Sequence, residues 1–268
     1  NGGRVVVMKP GPLSLEGIAT SVTRYQVTTM WLTSSLFHRY CEQLLPTLSG
    51  VQQLLAGGDV LRPDIVKRTI ASLPNCQLIN GYGPTETTTF AVCYRIPREF
   101  EGDSVPLGNP ISNTQVYILD TELKPVPIGI SGEIHIAGAG LARGYLNCPA
   151  LTAEKFIPNP FGEPGSRMYK TGDLARYLPD GSIDFLGRID HQVKIRGFRI
   201  ELGEIEAALQ SHEEVREAVV LAREDSPGDK RLVSYIVAKQ KDNISIEALR
   251  IHLKKSLPEY MMPSAWVL

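Results

Sequence analysis

Up to about Thr85 the chain alternates short apolar runs with amphipathic helical patterns, and this alternation restricts the fold more than any other feature. Val5 to Met8 reads as a strand, Ser14 to Tyr25 as a helix, Val27 to Leu32 as a strand and Ser35 to Leu45 as a helix. Val51 to Leu55, Pro63 to Leu73 and Gln77 to Ile79 continue the pattern as strand, helix and strand. Four β/α repeats of this kind predict a parallel sheet with flanking helices. In such sheets ligands gather outside the carboxyl ends of the strands, where loops and helix N-termini converge. Trp31, Leu55 to Gly58 and Asn80 to Glu86 occupy those ends.

Beyond this region the texture changes twice. Between roughly Gly102 and Gly187, short β-like pieces (Val116 to Leu119, Ile134 to Ala137, Ile183 to Leu186) are separated by Gly and Pro turns. After Arg188 come Val193 to Ile195, a helix from about Leu202 to Gln210, strands at Val219 to Ala222 and Val233 to Val237, and a helix from Ile246 to Leu257. The expected architecture is therefore an α/β parallel sheet with flanking helices over residues 1–101 and a small β-rich subdomain over 102–189. A hinged α+β C-terminal domain follows over 190–268.

Composition excludes several function classes. A formal net charge of −1 with 43% hydrophobic and 21% charged residues describes an ordinary globular chain without a basic field for nucleic acid or an anionic membrane. An anionic ligand must then be held by local groups. Cys41, Cys76, Cys93 and Cys148 lie far apart, and His38, His135, His191, His212 and His252 form no pair with metal-ligand spacing. Neither a disulfide framework nor a zinc site is expected, and the thiols suit a reducing cytoplasm. No signal peptide or long apolar span is visible. The first residues run into a β-like stretch without an initiator Met, and Trp266-Val267-Leu268 stops as another begins, so both ends read as cut.

Three polar strings carry candidate chemistry. Asn80-Gly81-Tyr82-Gly83-Pro84-Thr85-Glu86 follows a strand directly; its glycines permit close backbone approach and Pro84 stiffens the turn. Tyr82 offers a ring for a base, Asn80 a donor and an acceptor for an adenine edge, and Thr85 with Glu86 a hydroxyl and a carboxylate for phosphate and Mg²⁺. Tyr169-Lys170-Thr171-Gly172-Asp173-Leu174 reads as a second polar loop, whose aspartate can accept from the hydroxyls of a ribose. Each of these two is equally a good turn sequence on its own. The third, Gly187 to Glu206, is an ordered basic ribbon that ends in a helix start with early glutamates. Gly138-Ala139-Gly140 lacks the spacing of a dinucleotide fingerprint and reads as a tight turn.

Taken together with Gly132 to Leu146 and Leu257-Pro258-Glu259-Tyr260-Met261-Met262-Pro263, these strings resemble, in order and spacing, the later core motifs of adenylation domains. The resemblance covers nearly the whole chain and is closest to the amino-acid-activating branch of nonribosomal peptide synthetases. It implies an ATP-dependent, AMP-forming ligase that makes aminoacyl-AMP and loads a phosphopantetheine arm on a peptidyl carrier protein, beside a neighbouring condensation domain. By the same resemblance Asn80, Gly81, Tyr82 and Gly83 surround the adenine, Thr85 contacts phosphate and Glu86 is the Mg²⁺-associated carboxylate. Asp173 then binds ribose, with Phe185 and Arg188 near the same nucleoside. Asp190 corresponds to the hinge of the small domain, and Gly197 to the ribbon along the carrier arm. Trp31, Leu55, Gly57, Gly81, Thr89 and Phe90 match the positions that read the amino-acid side chain. Their apolar, uncharged character suits valine, with isoleucine or leucine close behind, because one methylene is worth only about 1–3 kcal/mol.

The family's Gly/Ser/Thr-rich phosphate loop, its ammonium-binding aspartate and its C-terminal lysine have no counterpart here. The segment alone is expected to be inactive and to expose apolar surface. Two alternatives remain from the sequence: a free-standing acyl-CoA or aryl-acid ligase of the same superfamily, and a non-catalytic nucleotide- or protein-binding module.

Overall fold

Ser14 starts the first helix, α1 (Leu15–Tyr25), by accepting a hydrogen bond from the Gly17 amide at 3.0 Å, and Gln26 ends it in a left-handed conformation. Helices α2 (Ser34–Gln43) and α3 (Pro63–Ser72) follow, the latter opened by a proline in its first turn. Each helix is followed by a strand, β1 (Thr29–Thr33), β2 (Gln53–Gly57) and β3 (Gln77–Tyr82), paired in parallel so that Trp31, Leu55 and Ile79 align, as do Thr33, Gly57 and Gly81. Strand alternation divides the two faces. Leu32, Leu54, Ala56 and Leu78 join Ile18, Val22, Phe37, Tyr40, Val66 and Ile70 of the helices in one buried cluster. The opposite face carries Trp31, 46% exposed.

The chain was computed as a structural model describing residues 2–8, 10–11, 14–190, 192–195, 197–225, 230–239 and 244–268. His191 and Arg196 of the basic ribbon lie outside the described residues. The structure corrects several expectations. Val5 to Met8 forms no strand, and Val5 and Val7 are 85% and 86% exposed; an apolar run becomes a strand only where an edge pairs with it, and these residues pair with none. The parallel part of the sheet therefore has three strands, and β4 (Val92–Arg95) and β5 (Asn109–Pro110) extend it antiparallel.

A second sheet has the order β10-β9-β7-β6, all antiparallel. Its members are β6 (Thr114–Leu119), β7 (Gly132–Gly138), β9 (Arg167–Tyr177) and β10 (Ile183–Arg188). The short α4 (Pro149–Lys155) and β8 (Phe156–Pro158), which pairs with β9, lie between β7 and β9 in the chain. Tyr82 and Val92 of the first sheet pack in one cluster with Val116, Ile118, Ile134, Ile136 and Ile183 of the second. The end of β3 is thereby set against the second sheet, which is what places the site.

These elements form one compact unit, residues 1–189, and residues 190–268 form another. The second holds a hairpin of β11 (Val193–Ile195) and β12 (Phe198–Ile200), then α5 (Leu202–Gln210), β13 (Val215–Glu224), β14 (Lys230–Ala238), α6 (Ile246–Leu253) and β15 (Ala265–Val267). Strands β13 and β14 are antiparallel, with β15 parallel to β14. Ile200, Ile205, Leu209, Val220, Leu249 and Leu253 form its core. The helix expected to reach Leu257 stops at Leu253 and gives way to turns over 254–256, with Pro258 disfavouring helical backbone only at Leu257.

Candidate active site

Tyr169 to Leu174 is not the expected loop but the middle of β9, distorted by a bulge. Between the pairs His135–Lys170 and Glu133–Leu174, Ile134 alone stands against three residues, Thr171, Gly172 and Asp173. The excess backbone is held locally. Thr171 Oγ1 donates to the Ile134 carbonyl at 2.8 Å and accepts from the Asp173 amide at 3.0 Å, while the Glu133 carboxylate accepts from the Gly172 amide at 2.9 Å. Gly172, at φ 72°, supplies a backbone that a side chain resists. A second bulge, at Gly187 with φ 133°, pairs Arg188 with Asp173. Bulges re-aim side chains, and these two bring a carboxylate and a guanidinium together.

Asp173 is the centre of the site. Its Oδ1 accepts from Arg188 Nη1 at 2.6 Å and its Oδ2 from the Tyr82 hydroxyl at 2.5 Å, while Arg188 Nη2 donates to the Thr171 carbonyl at 3.1 Å. Asp173 is 3% exposed. A charge so buried persists because it is paired and hydrogen-bonded. Burial, and then the adjacent Asp173 charge, push the Tyr82 hydroxyl well above its ordinary range, so it remains a donor. The structure thus joins three of the expected nucleoside residues directly. Tyr82 differs from expectation in one respect: its ring is buried, packed with Ala91, Val92 and Leu107. Asn80 is likewise buried and donates to the Pro106 carbonyl at 2.8 Å, and Phe185 packs at the edge of the same cluster.

Thr85 is exposed at the start of a 3-10 turn, Thr85–Thr87, whose middle residue Glu86 is 7% exposed. Glu86 Oε1 accepts from the Tyr145 hydroxyl at 2.7 Å. Gly83 lies where a Cβ would stand 2.4 Å from the Thr89 carbonyl oxygen, so the return of the loop requires glycine. Thr88 and Thr89 follow at φ 61° and 67°, unusual for β-branched residues. Among the described residues no three His, Cys, Asp or Glu cluster as a metal cage. One buried carboxylate beside an exposed hydroxyl suits Mg²⁺, which takes one or two protein carboxylates and completes its shell with phosphates and water.

The residues expected to read a substrate side chain also converge. Trp31, Leu55, Gly57 and Gly81 share the sheet face opposite the helices, with Leu55 half-buried. The Phe90 ring meets Trp31 edge-on, centroids 6.3 Å apart. A Cβ on Gly81 would stand 2.5 Å from the Phe90 ring, and one on Gly57 1.9 Å from the Gly81 carbonyl oxygen. Thr89 is exposed at the rim. In the second unit Asp190 is exposed and accepts from the Gln192 amide at 3.2 Å, and Gly197, at φ 84°, makes the turn of the β11–β12 hairpin. Sequence reasoning missed Tyr145 and Thr88. Both stand inside or beside quoted strings, but nothing in local pattern indicates contacts across 59 and 52 residues.

Residues 1–146 match the AMP-binding enzyme family and residues 204–268 the AMP-binding enzyme C-terminal domain. Over its whole length the chain is 52% identical to a linear gramicidin synthase of Brevibacillus parabrevis, of which it covers 4%. It is 45% identical, again over its whole length, to 11% of the dimodular nonribosomal peptide synthase of Bacillus subtilis (strain 168). Among solved structures it resembles a holo nonribosomal peptide synthetase protein containing adenylation and PCP domains, bound to a vinylsulfonamide inhibitor. That match has a TM-score of 0.89 at 36% identity and covers 100% of this chain and 46% of the other. An artificially fused adenylation–PCP di-domain from Klebsiella oxytoca gives 0.83 at 31% identity, covering 97% of this chain and 51% of the other. The chain thus spans about half the length of these solved chains and a small fraction of the curated synthetases. It belongs to the AMP-binding enzyme family, with the sequence and fold of the later part of a peptide-synthetase adenylation domain.

Proposed function

We propose that this chain forms the later part of a cytoplasmic adenylation domain that converts an amino acid and ATP into aminoacyl-AMP and pyrophosphate. The aminoacyl group then passes to a phosphopantetheine thiol on a peptidyl carrier protein, within a synthetase that also holds a condensation domain. The observation that carries this reading is the junction of Tyr82, Asp173 and Arg188, with Glu86 four residues beyond Tyr82. The relatives support it, being peptide synthases and proteins that combine adenylation and PCP domains.

Asp173, oriented by Tyr82 and Arg188, accepts from the ribose hydroxyls. Asn80 to Gly83 and Phe185 border the adenine, Thr85 contacts phosphate, and Glu86 holds Mg²⁺. When bound, Mg²⁺ neutralises phosphate charge during in-line attack by the amino-acid carboxylate. Trp31, Leu55, Gly57, Gly81, Thr89 and Phe90 receive a short branched aliphatic side chain, valine first. Gly57 and Gly81 leave no room for a side chain of their own, against the Gly81 carbonyl and the Phe90 ring respectively. Catalysis comes mainly from positioning. The second unit then swings at Asp190 to admit the carrier arm along the ribbon at Gly197.

Amino-acid-dependent pyrophosphate exchange by the intact domain tests this reading. Exchange should be greatest with valine and should be lost in Asp173→Ala. Undiminished exchange in that variant overturns the ribose assignment, and strong preference for a charged or aromatic substrate overturns the pocket.

A further inference from the structure

Glu86 is gripped by a second segment of chain, 138–145, that the nucleotide reading does not use. The Ala142 amide donates to the Glu86 carbonyl at 2.8 Å, and three residues later the Tyr145 hydroxyl donates to the Glu86 carboxylate at 2.7 Å. Main chain and side chain of one residue are thus held by a single loop. Thr88 Oγ1 adds a third tie, to the Gly140 carbonyl at 2.7 Å, at a point where a Cβ on Gly140 would stand 2.8 Å from the Thr87 carbonyl oxygen.

The tyrosine is itself fixed. Its amide donates to Thr152 Oγ1 at 2.9 Å, and its ring meets Phe156 edge-on with centroids 5.5 Å apart. Phe156 packs in turn on Tyr169, centroids 5.1 Å apart, and carries the Arg167 guanidinium on its face. That guanidinium donates to the carbonyls of Arg143 and Ala142, closing the frame around the loop. Towards the Glu86 carboxylate the Tyr145 hydroxyl is the donor.

We propose that Tyr145 is a positioning residue for Glu86: it fixes one carboxylate oxygen, so that the group meets a divalent cation on the nucleotide's phosphates in one orientation. This rests on the reading of Glu86 as the cation-associated carboxylate. A glutamate left to rotate would have to be ordered by each arriving cation, whereas one held by a rigid aromatic frame is ordered beforehand.

The test is Mn²⁺ binding, followed by electron paramagnetic resonance, to the intact domain loaded with a non-hydrolysable ATP analogue. Tyr145→Phe is expected to weaken Mn²⁺ about tenfold, the scale on which outer partners tune metal affinity, while metal-free AMP binds as in the wild type. Tyr169→Phe, which keeps the Tyr145–Glu86 bond, should bind Mn²⁺ normally. Should Tyr145→Phe not fold, Thr152→Val releases the tyrosine backbone without deleting its hydroxyl and is expected to weaken Mn²⁺ severalfold. Normal Mn²⁺ affinity in the Tyr145 variant, or in Thr152→Val where it takes that variant's place, beside weakened affinity in Glu86→Gln, overturns the proposal alone. Normal affinity in Glu86→Gln overturns the reading beneath it.

Discussion

At the scale of single residues, two glycines that look interchangeable in sequence should respond differently to the same methyl group. A Cβ on Gly57 would stand 1.9 Å from the Gly81 carbonyl oxygen, and backbone held in a parallel ladder cannot retreat. Gly57→Ala is expected to destabilise the first unit by about 3 kcal/mol, at the upper end for overpacking. A Cβ on Gly81 meets the end of a side chain, the Phe90 ring at 2.5 Å. Gly81→Ala should cost about 1 kcal/mol or less, because the ring can turn aside. Thermal unfolding of both variants checks the ranking, and equal losses would mean that Phe90 is as immobile as backbone. The Tyr82 hydroxyl offers a second case. Deleting it leaves a buried carboxylate short of one donor, so Tyr82→Phe should cost about 1.5–3 kcal/mol near neutral pH. The folded-state pKa of Tyr82 is raised above the ordinary 10.0, so its contribution is complete below that pH and is lost as pH rises beyond it. The difference between wild type and Tyr82→Phe should accordingly narrow in chemical denaturation above pH 10. A constant difference would show that the hydroxyl does not titrate with folding.

At the scale of elements, β7 carries a titratable group that nothing in its pattern explains. His135 is fully buried, its Nδ1 3.0 Å from the Glu133 carbonyl and its Nε2 without a hydrogen-bond partner among the described residues. Burial lowers its affinity for a proton, with Lys170 acting in the same direction and Glu133 opposing. A histidine lowered from the ordinary 6.5 lends stability that is complete above that pH and is lost as pH falls below it. Wild type should therefore lose more stability between pH 7 and 5 than His135→Gln, measured by urea unfolding of each; parallel slopes would refute this. The same strand shows what sequence can and cannot reveal. Its apolar alternation was legible, as were the helices α1 to α3 and the ends of β1 to β3, because hydrophobic period and strand-end position are local properties. The bulges at Gly172 and Gly187 were not. A Thr-Gly-Asp string reads as a turn until the neighbouring strand supplies the register that makes it an interruption of pairing. Val5 to Met8 failed for the converse reason: its pattern was that of a strand, but pattern provides no partner. The candidate site residues were legible where a recognisable side chain stands at a strand end, while the contacts of Tyr145 and Thr88 are tertiary and left no local signal.

At the scale of the whole molecule, each of the two units buries a core of its own among the described residues. Cooperative unfolding follows shared burial, so two separate cores are expected to give two calorimetric transitions instead of one. Core truncations should assign them. Leu209, fully buried on α5, belongs to the second unit, and Phe37, fully buried on α2, to the first. Leu209→Ala should lower only one transition, by about 2–5 kcal/mol of unit stability, and Phe37→Ala only the other, by about 3–5 kcal/mol. The second unit holds 79 residues, 190 to 268, and a loss of that size is a large part of the stability of so small a fold. Leu209→Ala should then leave the first unit melting as in the wild type, with Tyr82, Asp173 and Arg188 still joined. Binding of AMP measured by calorimetry at a temperature between the two transitions would register that separation. A single transition that moves as a whole with either truncation would instead show that the two cores unfold as one cooperative unit.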